Sequence, residues 1–283
     1  MGTIGQVVKV IAGFFDIQVD QKCYRVRASG LLREHNIVPI VGDWVKFEPE
    51  GMLTSVQPRQ NMLRRPKVAN VDQVVIVCAL DDPKFSALLL DRMLATIEAQ
   101  ALRVIILFTK ADLGGHQPFY DYQSQGYTCF LINNTTPAKL PDLQTLLTHK
   151  LSVFTGQSGA GKSTTINHLL GLHLATNPTS RALGRGKHTT RVVEIHQVGL
   201  IRIIDTPGFG ALQIQLTKHQ LARAFHDFRT WSAQCKFRSC LHDQEEDCFV
   251  KAQLAAKQLL TQRYQNYLKM LHNDTIETAK GFN

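Results

Sequence analysis

Hydrophobic and polar residues alternate along the first 60 residues, in short segments that Gly, Asp and Pro separate. Residues 6–10, 23–28 and 43–47 are typical of these segments. Alternation with a period of two and closely spaced turn residues predicts a small all-β barrel, and we expect an OB-like one. Arg25 and Arg27 share one face of the second segment. That face suits nucleic acid, and an ordinary solvated face explains it equally well.

From residue 71 onward, apolar strands alternate with helical patterns, which predicts an α/β domain with a parallel core. We predict strands at 74–80, 102–108, 126–132, 152–154, 192–195 and 200–204, and helices at 88–100, 140–151 and 162–170. The composition changes around residues 58–66, where Arg64, Arg65 and Pro66 predict a linker.

Past residue 210 the pattern becomes helical and irregular. Apolar residues at helical spacing predict one long amphipathic helix over residues 250–271, with a stripe that packs on its own domain. The stripe consists of Leu254, Leu259, Tyr264, Tyr267, Leu268 and Leu271. The three patterns predict three domains, at 1–63, 64–215 and 216–283.

Composition narrows the class of protein. The 283 residues are 44% hydrophobic and 19% charged, as in soluble globular proteins. No apolar run approaches the roughly 18 residues that span a bilayer, so we expect a cytoplasmic protein without a membrane partner. We also expect it to be a monomer. The net charge of +9 is spread evenly, with +3 in each of residues 1–65, 66–215 and 216–283. This spread favours a polyanionic partner that touches several domains, and a merely soluble basic protein is the alternative.

Residues 156–163 match the phosphate-binding pattern GxxxxGK[ST] between a predicted strand and a predicted helix. The glycines let successive N–H groups point at phosphates, and the helix adds its positive N-terminal end. Lys162 would reach the β- and γ-phosphates, and the Ser163 hydroxyl would bind Mg²⁺. The candidate nucleotide-binding residues of this loop are Gly156, Gln157, Ser158, Gly159, Ala160, Gly161, Lys162, Ser163 and Thr164.

A second nucleotide motif, Thr109, Lys110, Ala111 and Asp112, also follows a predicted strand. The carboxylate of Asp112 can accept hydrogen bonds from guanine N1–H and the exocyclic amine, and adenine offers no such arrangement. The motif therefore favours GTP over ATP. Its usual first residue is Asn, so Thr109 predicts modest nucleotide affinity. A base-contacting loop is expected near Asn133 and Asn134.

The guanine motif precedes the phosphate-binding loop, which reverses their usual order in GTPases. This order predicts a circularly permuted GTPase domain. Asp205 and Gly208 lie in a third motif after the predicted strand 200–204, where the carboxylate would hold Mg²⁺ through water and the Gly208 amide would sense the γ-phosphate. The next residue is Phe209, where many GTPases carry the Gln that orients the attacking water. We therefore expect slow hydrolysis until a partner completes the site.

Residues 181–191 lie where a first switch loop is expected, and they contain basic residues but no acidic ones. An RNA-contacting switch is the favoured interpretation, and a solvated basic loop is the alternative. Thr189 or Thr190 would close over Mg²⁺. His188 is a candidate for orienting the attacking water, and an RNA-facing histidine explains it equally well.

Three cysteines and one histidine lie close together near the C-terminus, at Cys235, Cys240, His242 and Cys248. Four ligands of this kind match a closed tetrahedral zinc site, which leaves no open position for catalysis. We therefore predict one structural Zn²⁺, and a labile or regulatory metal site is the alternative. The remaining cysteines, Cys23, Cys78 and Cys129, are scattered and do not indicate a disulfide framework.

The reversed motif order, the loop around His188, the Asp205 motif and the cysteine–histidine cluster together resemble the RsgA (YjeQ) family of GTPases that depend on the small ribosomal subunit. The resemblance covers nearly the whole chain. It implies an N-terminal OB-fold, a central permuted GTPase domain and a C-terminal zinc-binding domain. It also implies late maturation of the small ribosomal subunit, binding of its rRNA, and GTP hydrolysis stimulated by that subunit.

Two other classes of function stay open at this point. One is a GTP-gated RNA-binding switch with little turnover, and the other is a GTPase that handles metal. The permuted order also suggests a mechanism, because the chain runs from Gly208 directly into the predicted zinc domain. We hypothesise that loss of the γ-phosphate pulls on the zinc domain and changes how the protein binds RNA. Equal ribosomal affinity with GDP and with a non-hydrolysable GTP analogue would contradict that hypothesis.

Overall fold

The computed structural model describes residues 2–64, 66–133, 141–171, 193–206 and 214–273. Its strands are β1 (Thr3–Ile11), β2 (Phe14–Val19), β3 (Lys22–Ala28), β4 (Trp44–Phe47), β5 (Met52–Val56), β6 (Met62–Arg64), β7 (Lys67–Ala69), β8 (Gln73–Ala79), β9 (Arg103–Thr109), β10 (Thr128–Ile132), β11 (Leu151–Gly156), β12 (Ile195–Val198) and β13 (Ile201–Asp205). Its helices are α1 (Gly30–Glu34), α2 (Ala87–Glu98), α3 (Gln117–Ser124), α4 (Pro141–Leu147), α5 (Lys162–Leu170), α6 (Lys218–Ala222), α7 (His226–Ser232), α8 (Phe249–Ala255) and α9 (Thr261–Asn273). Within these described ranges, no helix has the length and apolar character that a membrane crossing requires.

The chain divides into two compact units. Unit 1 comprises residues 1–73, 139–155 and 162–207, and unit 2 comprises residues 74–138, 156–161 and 208–283. Each unit is therefore assembled from three separated segments of the chain.

In unit 1 the first five strands close into a barrel in the order β1-β2-β3-β5-β4, which confirms the predicted all-β barrel. Val45 and Phe47 on β4 are fully buried, whereas Trp44 and Lys46 alternate with them and are exposed. The period-two pattern thus places the apolar side chains inside the barrel. The core is formed by Val7, Phe15, Ile17, Val26, Leu32, Val45, Phe47 and Leu53.

The two arginines of the predicted basic face have partners on the neighbouring strand β2. Arg25 forms a two-pronged ion pair with Asp16, with nitrogen–oxygen distances of 2.6 and 2.8 Å, and this hydrogen bonding lowers the pKa of the Asp16 carboxyl. The guanidinium of Arg27 lies 4.5 Å from the centroid of the Phe14 ring. The charge of Arg25 is therefore balanced within the barrel, and nucleic-acid contact by this face stays a prediction.

The prediction of a linker around residues 58–66 is wrong. Strands β6 and β7 form an antiparallel hairpin there, with Val68 and Ala69 buried. The Ala69 amide donates to the Val41 carbonyl at 2.9 Å, and Arg59 donates to the buried Asp43 carboxylate at 2.7 and 2.8 Å. Pro and Arg residues give this segment the composition of a linker, but composition does not encode the long-range contacts that hold Arg59 and strand β7 in place.

The rest of unit 1 is α/β. Strand β13 pairs in parallel with β11 and antiparallel with β12. The strand predicted at 192–195 is observed later, at Ile195–Val198, because Gly199 with φ 58° forms the turn between β12 and β13. The helix predicted at 140–151 ends at Leu147, since His149 adopts a left-handed backbone with φ 60° before β11 begins.

Barrel strand β1 contacts edge strand β12 within unit 1. Lys9 forms an ion pair with Glu194, and the backbones of the two residues form an isolated antiparallel bridge. Arg202 on β13 donates to the side chain of Gln6 at 2.8 Å. These contacts attach the barrel to the pair of strands that follows the predicted switch loop in the chain.

In unit 2, strands β10, β9 and β8 lie side by side in that order, and β10 is parallel to β9. Every residue of β8 is buried, and β9 is buried after Arg103. Continuous burial of this kind is typical of strands covered on both faces, so the predicted α/β core is confirmed. Helix α2 begins after Ser86, whose hydroxyl accepts a hydrogen bond from the Leu89 amide at 3.3 Å.

The C-terminal part of unit 2 is helical, as predicted, but the single helix predicted over 250–271 is wrong. Two helices, α8 and α9, are separated by residues 256–260. Lys257 adopts a left-handed backbone with φ 59°, and its amide donates to the Leu254 carbonyl at 3.0 Å, which ends α8. Leu259 in the break and Tyr267 on α9 are then buried in one core, as the packing of the apolar stripe predicts.

Arg263 on α9 lies at the centre of a buried ionic cluster in unit 2. Its side chain is 1% exposed and donates to Asp91 on α2 at 2.7 Å and to Asp227 on α7 at 3.1 Å. Asn266 donates to the other Asp91 oxygen at 2.7 Å. The ring of Phe225 lies 4.4 Å from the guanidinium carbon, within the range of a cation–π contact. Helices α2, α7 and α9 therefore share one charged cluster.

Candidate nucleotide site and metal centre

The predicted phosphate-binding loop connects β11 to α5. Gly156, Gly159 and Gly161 all have positive φ, at 147°, 79° and 85°. A Cβ atom on Gly156 would lie 2.0 Å from the Val77 carbonyl oxygen, so no other residue fits there without a shift of the backbone. Helix α5 begins at Lys162 directly after the loop. A glycine-rich curl before a helix N-terminus is a backbone arrangement that binds phosphate.

Within the loop, Gln157 is half-buried, Ser158 is exposed and Ala160 is buried. The Ala160 amide donates to the Gln157 carbonyl at 3.2 Å, which closes a turn. In α5, Lys162 is 7% exposed, and Ser163 and Thr164 are partly buried. The backbone of the loop is therefore held in its curled form by its own hydrogen bond and by its glycines.

Thr109, the first residue of the predicted guanine motif, ends β9 and is fully buried. Its hydroxyl lies 2.6 Å from the Ala160 carbonyl and 3.3 Å from the Cys78 carbonyl. The guanine motif and the phosphate-binding loop are thereby joined by one hydrogen bond inside unit 2. The sequence predicts weakened affinity from Thr109, and this bond supplies a stabilising contact that residue identity alone did not suggest.

Asp112 lies in a 3-10 turn, Ala111–Leu113, immediately after Lys110. Lys110 has a left-handed backbone with φ 57°, and its ammonium group donates to the Asp82 carbonyl. Asp112 itself is exposed, and its carboxylate makes no hydrogen bond or ion pair with any residue that the structure describes. The turn therefore presents a free carboxylate, which is what recognition of a guanine base requires.

The side chains of Ser163 and Asp205 meet within unit 1. The Ser163 hydroxyl donates to Asp205 Oδ2 at 3.0 Å. The other carboxylate oxygen, Oδ1, is buried and has no hydrogen-bond partner among the described residues. Thr206 next to it is anchored, since its hydroxyl donates to the Phe154 carbonyl at 2.8 Å. A hydroxyl beside an unpaired, buried carboxylate oxygen is a hard oxygen donor set that fits Mg²⁺.

Several predicted site residues lie outside the described ranges. These are His188, Thr189, Thr190, Gly208, Phe209 and Asn134. Asn133 is the first residue after β10 and is partly buried. The roles predicted for the undescribed residues remain predictions.

The four predicted metal ligands come together in unit 2. The ligand atoms of Cys235, Cys240, His242 and Cys248 all lie within 4.8 Å of one another. The Nδ1 atom of His242 is 3.7 Å from Cys235 Sγ and 3.4 Å from Cys248 Sγ, and the two sulfurs are 4.0 Å apart. Metal–sulfur bonds of about 2.3 Å in a tetrahedron require separations close to these. The donor set and its dimensions therefore fit Zn²⁺.

Side chains near the cluster hold the turn around His242 in place by hydrogen bonds, and the sequence patterns did not single them out for this role. The Glu245 carboxylate accepts from the Leu241 amide at 2.6 Å and from the Asp243 amide at 2.9 Å. The Tyr264 hydroxyl donates to the His242 carbonyl at 2.7 Å, and Tyr267 donates to the Leu241 carbonyl. Burial lowers the pKa of His242, which favours the neutral ring that binds metal. Only the helical spacing of the two tyrosines signalled that they face inward.

The sequence matches one family over most of its length. Residues 56–215 match the family described as RsgA GTPase, and residues 4–55 match the RsgA N-terminal domain. The chain is 45% identical over 272 residues to the small ribosomal subunit biogenesis GTPase RsgA of Mycoplasmopsis pulmonis, covering 95% of this chain and 98% of that protein. It is 40% identical over 289 residues to small ribosomal subunit biogenesis GTPase RsgA 2 of Oceanobacillus iheyensis, covering 98% of each.

Solved structures give the same relationship. YloQ, described as a circularly permuted GTPase, is 30% identical with a TM-score of 0.79, over 96% of this chain and 94% of YloQ. YjeQ from Thermotoga maritima is 26% identical with a TM-score of 0.82, over the full length of both chains. The likeness thus extends across the barrel, the α/β core and the helical C-terminal part.

Proposed function

This chain belongs to the RsgA family of GTPases, and on that premise we propose that it hydrolyses GTP while assisting late maturation of the small ribosomal subunit. The observation that carries the proposal is the Ser163–Asp205 pair, 3.0 Å apart, with its buried and unpaired carboxylate oxygen. Such a pair is what a Mg²⁺-dependent phosphoryl-transfer site needs. The match to relatives named small ribosomal subunit biogenesis GTPase supports the biological role.

Individual residues have separate roles in the proposed reaction. The amides of residues 156–161 would bind the phosphates, and Lys162 would balance the charge of the β- and γ-phosphates. Asp112 would select guanine, while Ser163 and Asp205 would hold the magnesium ion. Held there by Ser163 and Asp205, Mg²⁺ would supply positive charge that offsets the negative charge developing on the phosphates during transfer.

The attacking water has no assigned partner among the described residues. Phe209 replaces the glutamine that orients this water in many GTPases, so hydrolysis would be slow without help. We assign this help to the small ribosomal subunit. His188 is the candidate in the chain itself, Thr190 the candidate for closing over Mg²⁺, and Gly208 the candidate for sensing the γ-phosphate.

We also propose that the cysteine–histidine cluster binds one structural Zn²⁺. All four positions of a tetrahedral ion would be filled by protein, which leaves none for a substrate. The cluster joins the turn around His242 to the start of α8, so the metal would stabilise a region with short helices. This role differs from metal delivery, which needs an exchangeable ion.

The proposed partners are the small ribosomal subunit with its rRNA, and GTP or GDP. The net charge of +9, spread over all parts of the chain, supports contact with RNA at more than one place. We further propose three functional domains, at 1–63, 64–215 and 216–283, in a cytoplasmic monomer.

The decisive test is GTP turnover by the purified protein with and without small ribosomal subunits, with large subunits as the control. We expect strong stimulation by the small subunit alone and its loss in Asp205→Asn. If GTP binds but small subunits fail to stimulate turnover, the enzymatic proposal is wrong. If subunit binding then depends on the nucleotide, the protein is a GTP-gated RNA-binding switch. If the zinc is exchangeable and activity needs no RNA, the protein is a metal-handling GTPase.

A further inference from the structure

The turn that carries Asp112 has little packing of its own. Residues 112–115 are all exposed, and Leu113 has 53% of its surface accessible. Gly114 and Gly115 both have positive φ, at 83° and 72°, and a Cβ atom on either would meet nothing within 4 Å. Two glycines in open space give the chain many alternative conformations. Backbone hydrogen bonds close the turn, from the Leu113 amide to the Lys110 carbonyl at 3.0 Å and from the Gly114 amide to the Ala111 carbonyl at 3.4 Å, so a further restraint on Asp112 must come from a side chain.

The residues before Asp112 are anchored one by one. Thr109 donates to the Ala160 carbonyl at 2.6 Å, and Lys110 donates to the Asp82 carbonyl. The Ala111 carbonyl lies 2.8 Å from His116 Nε2. Because a carbonyl can only accept, the imidazole must donate its Nε2 proton to it. In the part of the chain that the structure describes, this is the one side-chain hydrogen bond to residues 111–115.

We infer that His116 is a positioning residue for guanine recognition. Its imidazole lies beyond Gly114 and Gly115 in the sequence and holds the Ala111 carbonyl by a hydrogen bond. That carbonyl belongs to the peptide group that joins Ala111 to Asp112. The carboxylate is thereby held in the direction from which it accepts the guanine N1–H and exocyclic amine. In this role His116 acts through Ala111 and Asp112 and not by a contact of its own with the nucleotide. The inference rests on the proposed binding of guanine nucleotides, and it adds that the base contact depends on this histidine.

The test compares three nucleotides in His116→Phe and His116→Gln. Phenylalanine keeps a ring and removes the donor, while the amide nitrogen of glutamine can replace Nε2. Guanine offers Asp112 two donor groups, the hypoxanthine of IDP offers one, and the adenine of ADP offers neither. Loss of one hydrogen bond corresponds to roughly a fivefold change in affinity. We therefore expect GDP to bind His116→Phe about fivefold more weakly, IDP about twofold more weakly, and ADP equally well.

His116→Gln should retain GDP affinity within about twofold, since it restores the donor. The matched control is His219→Phe, the same change at an exposed position of α6 in the same unit. An equal loss for GDP, IDP and ADP would indicate general damage to the fold and overturn the inference. So would unchanged GDP binding in His116→Phe. If the unsubstituted protein does not prefer GDP to ADP, the proposed function fails instead, and the two failures are distinguishable.

Discussion

Replacing Arg263 with methionine should destabilise unit 2 strongly. The substitution removes the cation that pairs with Asp91 at 2.7 Å and Asp227 at 3.1 Å, and both carboxylates stay buried. Breaking a buried ion pair from one side costs about 3–5 kcal/mol. The cation–π contact with Phe225 would also be lost. Asp91 keeps its hydrogen bonds from Asn266 at 2.7 Å and Tyr122 at 3.0 Å, so we expect a loss near the lower end, about 3 kcal/mol.

The loss should depend on pH. Burial raises the pKa of Asp91 to about 6, and the nearby Arg263 guanidinium acts against that rise. When the pKa of an acid is higher in the folded state than in the unfolded state, the acid contributes to stability below its unfolded-state pKa. This contribution is lost as pH rises through the folded-state pKa. Without Arg263 the pKa of Asp91 rises further, so near pH 5 the carboxyl is protonated and needs no cation. Destabilisation should therefore be smaller at pH 5 than at pH 8.

The two tryptophans make unit 2 separately observable. Trp44 belongs to unit 1, whereas Trp231 packs against the C-terminal core of unit 2. Urea unfolding followed by fluorescence in a Trp44→Phe background thus reports on unit 2. Arg229→Met, at an exposed position of α7, is the matched control and should change the free energy of unfolding by less than about 0.5 kcal/mol.

A loss below about 1 kcal/mol for Arg263→Met, or an equal loss at pH 5 and pH 8, would refute the reasoning. If the variant does not fold, Asp91→Asn in the same chain supplies a second test. Removing one unpaired carboxylate should then restore folding in part, and no restoration would mean that the charges are not the cause.

Two further predictions concern the phosphate loop and the metal cluster. Gly156→Ala should reduce GDP affinity at least about tenfold, because the new Cβ would lie 2.0 Å from the Val77 carbonyl oxygen. Gly30→Ala is the control, since a Cβ there has open space around it, and it should bind GDP normally in the same titration. Purified protein should contain one zinc ion per chain by elemental analysis. Cys240→Ser should lose the zinc and unfold at a lower denaturant concentration, while Cys129→Ser, outside the cluster, should keep the zinc. Full zinc content in Cys240→Ser would contradict the ligand assignment.

Local patterns predicted much of this fold and its candidate sites. The barrel follows from period-two alternation, and the phosphate loop follows from a motif whose glycines have the positive φ that its function needs. The four candidate metal ligands are close in sequence, so their spacing alone predicted that they meet. Each of these signals is contained in a short segment, where geometry depends on few residues.

The errors and omissions have a different physical origin. The end of α8 depends on Lys257 in a left-handed backbone, and lysine does not mark such a position as glycine would. The Arg263 cluster joins residues from separate helices, and nothing near Asp91 in sequence indicates its partner. The contact of His116 is local, but a histidine after two glycines carries no motif. These features are set by packing, which no periodicity or spacing describes.

Unit 2 is built from segments that lie far apart in the sequence, and this affects when it can fold during synthesis. Asp91 and Arg263 are 172 positions apart, so at about 5–20 residues per second the aspartate is made about 9–34 s before its partner. Throughout that interval the core of unit 2 has a carboxylate and no cation to bury with it. Unit 2 therefore acquires its final form only after residue 263 has been translated. A nascent chain stalled before residue 263 should accordingly remain sensitive to protease across unit 2.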